Sequence, residues 1–135
     1  LMIKIQKEDF NFENEIQIIK SKYRNVGAVS SFIGYVRNTN NNRKVVSIDL
    51  EVYESMAKKT LQKICAEAKK RWKLKDVLII HRYGKLTINE KIVLIATFSL
   101  HREDSFKSCE FIMNFLKKDA PFWKKEFYKK NFSWL

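Results

Sequence analysis

The chain has 135 residues, of which 45% are hydrophobic and 31% are charged, and its formal net charge is +12. This length suffices for one domain, residues 1–135, whose core needs neither a disulfide nor a metal. The sequence has no run of about 18 apolar residues and no signal-peptide pattern, so we expect a cytoplasmic protein without a membrane span. The positive charge favours an anionic partner: a nucleic acid, a phosphorylated small molecule or an acidic protein.

The first third of the chain predicts a strand, a helix and a second strand. Residues 2–7 alternate apolar and polar side chains, and Asn11 is typical of a helix N-cap. The helix that follows presents one apolar face, made of Phe12, Ile16, Ile19 and Tyr23. Residues 26–37 predict a strand whose two glycines, Gly27 and Gly34, allow backbone or ligand to approach closely.

A polar turn over residues 38–44 precedes a strand with one buried face. No glycine lies in this turn, so we expect an asparagine to supply the positive φ angle that it needs. The next strand should pair antiparallel with the strand before it. Its inward residues are predicted to be Val46, Ile48, Leu50 and Val52.

The second half predicts two helices around a pair of buried strands. Ser55 is expected to cap a helix whose buried face is Ala57, Leu61, Ile64, Cys65, Ala68 and Trp72. Residues 77–82 and 91–100 predict strands covered on both sides, with a short strand at 85–86 and a turn at 87–90 between them. The last helix is expected to begin at a cap on Asp104 or Ser105 and to end before Pro121. Its buried stripe is predicted to be Phe106, Cys109, Ile112, Met113 and Leu116.

This order of elements predicts an α+β fold, with a mixed or antiparallel sheet packed against about three helices. The tail beyond the last helix receives no assignment. Cys65 and Cys109 lie on apolar helix faces, so we expect them to be reduced core thiols, and we expect no metal site.

Five cationic residues lie at the ends of predicted elements. If these ends converge, they form a cationic pocket with walls from Phe32, Met113, Phe122 and Trp123. Lys117 falls at the edge of the buried stripe, which would place its amine in a partly dry environment. Crowding and burial would lower its pKa and that of Lys124, so that either could move protons or act as a nucleophile. The five residues are Arg37, His101, Arg102, Lys117 and Lys124.

Structural interpretations of the same residues remain open. His101 is also consistent with a core histidine at a strand end, and Phe122 and Trp123 with core anchors. His81 and Arg82 are either structural or an interface pair. A nucleic-acid-binding α+β domain is the main alternative function. The sequence has no RNP1-like pattern and no Gly-x-x-Gly loop of a KH domain, and its cations do not form one stripe.

Five blocks of sequence resemble the catalytic (large) subunit of molybdopterin synthase, the MoaE family. They follow one another in the family's order, and the match covers roughly residues 27–126. The last block contains Lys117 and the run Ala-Pro-Phe-Trp-Lys that ends at Lys124. The blocks are residues 27–29 with 34–38, 50–57, 80–86, 101–102 and 111–126.

The resemblance implies an α/β-hammerhead fold and a sulfurtransferase of molybdenum cofactor biosynthesis. Its substrate would be cyclic pyranopterin monophosphate, converted to the dithiolene of molybdopterin. Sulfur would arrive as a thiocarboxylate on the C-terminal Gly-Gly of a small ubiquitin-like subunit. The assembly would be a heterotetramer around a central homodimer. The family needs no metal or other cofactor for this step, and neither a nucleic acid nor a membrane takes part.

The resemblance also implies roles for individual residues. Lys117 would lie nearest the thiocarboxylate and stabilise an oxyanion, and Lys124 would bind substrate and move protons. Lys129 or Lys130 would stand in for a basic residue that family members supply across the dimer. An inactive scaffold that binds a ubiquitin-like tail is a further alternative, against which the retained cations argue. The substrate-binding positions implied are Tyr35, Val36, Arg37, His101, Arg102, Lys117, Lys124, Lys125 and Glu126.

Overall fold

The computed structural model of the chain describes residues 1–40 and 42–128, so the predictions for Lys129 and Lys130 lie outside the described residues. These residues form three α-helices and eight β-strands, which confirms the α+β fold. The helices are α1 (Phe12–Lys20), α2 (Glu54–Arg71) and α3 (Arg102–Asp119). The strands are β1 (Met2–Gln6), β2 (Ala28–Tyr35), β3 (Thr39–Asn40), β4 (Arg43–Val52), β5 (Leu74–Arg82), β6 (Gly84–Thr87), β7 (Lys91–Ser99) and β8 (Phe122–Tyr128).

The larger sheet has the strand order β1-β5-β7-β2, in which β1 runs parallel to β5 and the other pairs are antiparallel. Its central strands, β5 and β7, are covered on both faces, as their continuous apolar runs predicted. Helices α2 and α3 cover one face, and α1 covers the other. The core therefore consists of two apolar layers separated by this sheet.

The second sheet differs from the prediction, because β4 pairs with β3, β6 and β8 and not with β2. Strand β2 instead pairs with β7 along its whole length. A bulge between Val45 and Ser47 shifts the alternation of β4, so that Val45 is buried while Val46 is 44% exposed. Ile48 and Leu50 are buried, as the prediction had them. Strand β8 had no sequence assignment.

The helix caps follow the sequence signal only in α1. The Asn11 side chain accepts a hydrogen bond from the backbone N–H of Asn14, as the prediction required. Helix α2 begins after Tyr53 and α3 after His101, and neither residue makes a side-chain cap. The predicted caps on Ser55 and on Asp104 or Ser105 are therefore wrong.

The buried stripe of α3 is also displaced from the prediction, since Phe106 is 67% exposed. Small serines face the sheet at this end of the helix. Ser105 Oγ lies 2.7 Å from Ser30 Oγ of β2, and its carbonyl accepts a hydrogen bond from Thr97 Oγ1 of β7. The helix packs closely on the sheet through polar contacts, which apolar periodicity does not reveal. The predicted residues Cys109 and Ile112 are buried, and Met113 and Leu116 are half-buried.

Two backbone predictions are confirmed. Asn42 adopts a φ of 65° in the turn after β3, where we expected an asparagine in the left-handed region. A Cβ atom on Gly27 would overlap the carbonyl oxygen of Leu100, so this glycine does mark a close approach of two backbone segments. Cys65 and Cys109 are buried free thiols, as expected. None of the helices in the described ranges is both long and apolar enough to cross a membrane.

Candidate functional site

An apolar pocket of about 400 Å³ opens between α3 and the larger sheet. Strand β2 supplies Phe32 to its wall, and β5 supplies His81. Most of the remaining lining comes from α3, whose last two turns run along the opening. The complete lining is Phe32, His81, Val93, Ile95, Met113, Asn114, Leu116 and Lys117. The predicted wall residues Phe32 and Met113 therefore do share a cavity.

Lys117 lies at the mouth of the apolar pocket, on the last turn of α3. The side chain is exposed, so the prediction of a partly dry environment is wrong. Its neighbour Lys118, one residue further along the helix, is exposed as well. A lysine at this position presents a mobile cation to an anion that enters the pocket.

His81 forms part of the pocket wall and is itself almost fully buried, with 8% of its surface exposed. Its ring stacks on Phe122, with 3.6 Å between the ring centroids and 15° between the planes. Nδ1 lies 2.9 Å from the carbonyl oxygen of Arg82, and because a carbonyl only accepts, Nδ1 carries the proton. Burial lowers the pKa of His81 to about 4, so the imidazole is neutral at pH 7.

Arg82, by contrast, has a structural role. Its guanidinium is buried and donates hydrogen bonds to the carbonyl oxygens of Lys7 and Lys91 and to the carboxylate of Glu90. These bonds tie β5 to the segment after β1 and to the start of β7. The sequence left open whether His81 and Arg82 are structural residues or an interface pair. In the structure, Arg82 is structural and His81 forms part of the pocket wall.

A smaller cationic cleft lies near the N-terminal end of β7. Lys124 of β8 and Arg37, just after β2, provide its positive charge. Lys124 Nζ is 3.5 Å from Glu126 Oε2, and the hydroxyl of Tyr128 donates to Glu126 Oε1 over 2.7 Å. The cleft shares no lining residue with the apolar pocket. The two sites are neighbours along β7, because Ile92 lines the cleft and Val93 lines the pocket. Its lining is Tyr35, Val36, Arg37, Ile48, Ile92, Lys124 and Glu126.

The alternation of β8 separates residues that the sequence had grouped. Lys124 and Glu126 face the cationic cleft, whereas Trp123 and Lys125 point to the other face of the strand. Trp123 is 57% exposed and Lys125 Nζ lies over the Phe127 ring, 5.7 Å from its centroid. Trp123 therefore lines neither the apolar pocket nor the cationic cleft and is not a core anchor, and Lys125 lies away from the cleft.

His101 and Arg102 lie at the opposite end of α3 from Lys117. Lys117 lies fifteen helical steps after Arg102, which corresponds to about 22 Å at the α-helical rise. His101 is exposed, so the interpretation of a core histidine is wrong as well. Within one chain, the five predicted cations do not converge: Arg37 and Lys124 share the cleft, Lys117 lies at the pocket, and His101 and Arg102 lie apart.

The two cysteines are unsuited to sulfur chemistry of their own. Burial raises the pKa of Cys65 to about 12 and that of Cys109 to about 11, so both remain thiols at neutral pH. The thiolate is the nucleophilic form of cysteine. Among the residues that the structure describes, no cluster of His, Cys, Asp and Glu is placed to hold a metal ion.

The chain is thus an α+β domain in which an apolar pocket, lined in part by Lys117, and a cationic cleft are lined by neighbouring residues of β7. The family model described as MoaE protein matches residues 5–119. The chain belongs to the MoaE family.

Individual relatives agree with this assignment. The molybdopterin synthase catalytic subunit of Ralstonia nicotianae is 47% identical over 92% of this chain and 70% of its own length. The MoaE protein structure from Burkholderia ambifaria MC40-6 superposes with a TM-score of 0.85 at 39% identity, covering 98% of this chain and 93% of that one. The fold is also found in a complex of subunits 1 and 2 of the molybdopterin-converting factor from Helicobacter pylori 26695. That chain gives a TM-score of 0.77 at 22% identity, with 96% and 91% covered.

Proposed function

We propose that this chain is the catalytic subunit of a molybdopterin synthase and transfers sulfur to cyclic pyranopterin monophosphate. The observation that carries the proposal is the pairing of an apolar pocket, gated by Lys117, with a cationic cleft that contains Arg37 and Lys124. The apolar pocket, of about 400 Å³, suits a peptide tail, and the cleft, of about 40 Å³, presents positive charge to the phosphate of a pterin.

The apolar pocket is proposed to receive the Gly-Gly tail of a small ubiquitin-like subunit. Glycine adds no side chain, so an extended tail can enter a pocket whose walls are mostly apolar. Lys117 at the mouth then meets the terminal thiocarboxylate. The Helicobacter pylori complex of two subunits supports a two-subunit assembly, and the excess positive charge suits an acidic partner.

The cationic cleft is proposed to bind the phosphate and pterin edge of the substrate. Arginine forms paired hydrogen bonds to phosphate oxygens, and Lys124 adds a second positive charge beside Arg37. Glu126, near Lys124, holds that amine at the cleft and offers a proton acceptor. Tyr35 and Val36 complete the wall at the end of β2.

The chemistry then assigns each lysine a step. In each of two rounds, the thiocarboxylate sulfur attacks a side-chain carbon of the pterin, and the new C–S bond replaces a bond from that carbon to oxygen. That oxygen leaves with the opening cyclic phosphate in one round and as water in the other. Water next attacks the acyl carbon, the acyl–sulfur bond breaks, and the partner leaves as a carboxylate. Lys117 stabilises the oxyanion of the acyl hydrolysis, and Lys124 moves protons as the cyclic phosphate opens. The step draws its sulfur from the thiocarboxylate and needs no resident cofactor, so EDTA should leave turnover unchanged.

Matched variants test this assignment. In a reconstituted assay of molybdopterin formation, we expect Lys117→Ala to lower the rate about 100-fold or more, while Lys118→Ala leaves it near the wild-type value. Likewise, Lys124→Ala should abolish turnover and Lys125→Ala should not. Equal effects within either pair would contradict the proposed sites. Normal turnover in Lys117→Ala with none in Lys124→Ala would reverse the two roles.

His101 and Arg102 require a second copy of the chain in this account. They lie about 22 Å from Lys117 along α3, and both are exposed. We propose a homodimer, the centre of a heterotetramer located in the cytoplasm, in which these two residues complete the substrate site of the other protomer.

Mixing two inactive variants tests the crossed arrangement. A heterodimer of Lys117→Ala and Arg102→Ala keeps one intact site only if Arg102 acts across the dimer. After random exchange of protomers, we expect recovery of about one quarter of wild-type turnover. No recovery, in a mixture shown by native mass spectrometry to contain heterodimers, would place both residues in the same chain's site.

A further inference from the structure

Among the described residues that line the apolar pocket, His81 brings a buried ring nitrogen, Nε2, to which the proposed reaction gives no role. Its ring is fixed on one side by the stack on Phe122 and at one edge by the hydrogen bond from Nδ1 to the Arg82 carbonyl. Within the described residues, no group hydrogen-bonds Nε2. Every fully enclosed side-chain nitrogen or oxygen of these residues has a hydrogen-bond partner, so Nε2 is not fully enclosed. Nε2 is therefore open to the pocket that His81 lines.

The protonation state of the ring makes this atom an acceptor. Because Nδ1 carries the proton, Nε2 of the neutral ring has a free lone pair. Burial also lowers the pKa of His81, which keeps the ring neutral at pH 7. The wall thus presents a fixed hydrogen-bond acceptor among apolar side chains.

An extended peptide that enters this pocket brings backbone N–H groups that need acceptors. A buried N–H without a partner costs free energy comparable to a lost hydrogen bond. The polar side chains of the lining are His81, Asn114 and Lys117, and lysine only donates. Asn114 is exposed at the helix surface, which leaves His81 as the buried side-chain acceptor of the pocket.

We propose that His81 Nε2 accepts a hydrogen bond from the backbone N–H of one of the last two glycines of the partner's tail, and so sets how far the tail enters relative to Lys117. This inference rests on the proposed function, which places that tail in the apolar pocket. It makes His81 a tail-binding residue, whereas Lys117 acts on the terminal thiocarboxylate.

A double-mutant cycle across the two proteins tests the hydrogen bond. The small subunit is prepared by peptide ligation with its native Gly-Gly tail, or with N-methylglycine at the last or the next-to-last position. His81→Phe keeps an aromatic ring for the stack on Phe122 but removes the acceptor, and His81→Gln retains one. Calorimetry measures the Kd of each pair, and circular dichroism verifies that each variant is folded.

We expect His81→Phe to weaken binding of the native tail about tenfold and His81→Gln to weaken it less. N-methylation at one of the two positions should weaken binding to the wild type about tenfold and leave binding to His81→Phe unchanged. A steric effect of the methyl group would be the same in both proteins. Equal losses in both, or native binding by His81→Phe, would overturn the inference. Absence of binding by the wild type would refute the proposed function, and this inference with it.

A measurement on the wild-type protein alone covers the case in which His81→Phe does not fold. The chain has two histidines, so a ¹⁵N-imidazole-labelled sample gives two sets of ring signals. Addition of the small subunit should shift the Nε2 resonance of His81 upfield, toward that of a hydrogen-bonded nitrogen. An unshifted Nε2 resonance in the saturated complex would overturn the inference.

Discussion

Acidification should destabilise this protein through His81 in particular. Its pKa lies at about 4 in the folded chain, because burial penalises the charged ring, against an ordinary value of 6.5. The unfolded chain therefore takes up this proton first as the pH falls. The stability that the neutral, buried ring contributes is present above pH 6.5 and is lost progressively as the pH falls to 4.

The size of the effect follows from the two pKa values. One pKa unit corresponds to about 1.4 kcal/mol, so the loss should reach about 2 kcal/mol at pH 5 and about 3 kcal/mol at pH 4. Carboxylates add to the acid sensitivity of the whole protein. The hydrogen bond from the Thr87 backbone, for example, leads the contacts that keep the pKa of Glu90 below its ordinary value. His81→Phe has no imidazole to titrate but keeps those carboxylates.

Urea unfolding of the wild type and of His81→Phe at pH 7, 5 and 4 isolates the histidine. The wild type should lose about 3 kcal/mol more than the variant between pH 7 and pH 4. Parallel losses in the two proteins would refute the reasoning, because they would show that His81 takes up its proton as readily in the folded as in the unfolded chain.

Three further predictions concern packing, buried hydrogen bonds and charge. Gly27→Ala should lower the free energy of unfolding by about 2 kcal/mol, because its methyl group would overlap the Leu100 carbonyl oxygen; an unchanged urea midpoint would contradict that contact. Arg82→Met should lower the free energy of unfolding by about 3 kcal/mol, because it leaves two carbonyl oxygens and the Glu90 carboxylate without their donor. Thermal unfolding measures this loss. Lys107→Met, which breaks an exposed ion pair, is the control and should be nearly neutral. Association with an acidic small subunit should slow steeply as salt rises, because a net charge of +12 steers the encounter; a flat dependence in stopped-flow measurements would exclude steering.

Periodicity predicted the buried parts of the fold. Strands β5 and β7 read as continuous apolar runs, and the face of α2 repeats at helical spacing, so both were predictable from local sequence. Strand β8 was missed because three consecutive charged residues lie between its aromatic ends, so no apolar alternation marks it. Its partner β4 also lies some 75 residues earlier in the chain. Phe106 was misplaced because α3 meets the sheet through serines, whose packing depends on hydrogen bonds to β2 and β7.

The candidate site residues could be named from the sequence, but their positions relative to one another could not. The family resemblance named Lys117, Arg37 and Lys124, which the structure divides between a pocket and a cleft. From the sequence, the cations at the two ends of the last helix were expected to converge, but Arg102 and Lys117 lie about 22 Å apart along α3. Nothing local marks His81 as a pocket residue, since its position depends on the stack with Phe122, which is distant in sequence.

The central claim is that this chain catalyses sulfur transfer from a partner's thiocarboxylate. The most direct measurement is a reconstitution of the wild-type chain with cyclic pyranopterin monophosphate and a thiocarboxylated small subunit, followed by quantification of molybdopterin and of the remaining thiocarboxylate. We expect product, with about two thiocarboxylates consumed for each dithiolene formed, because each carries one sulfur. A stable complex of the two proteins that forms no product would contradict it and would identify the chain as a scaffold.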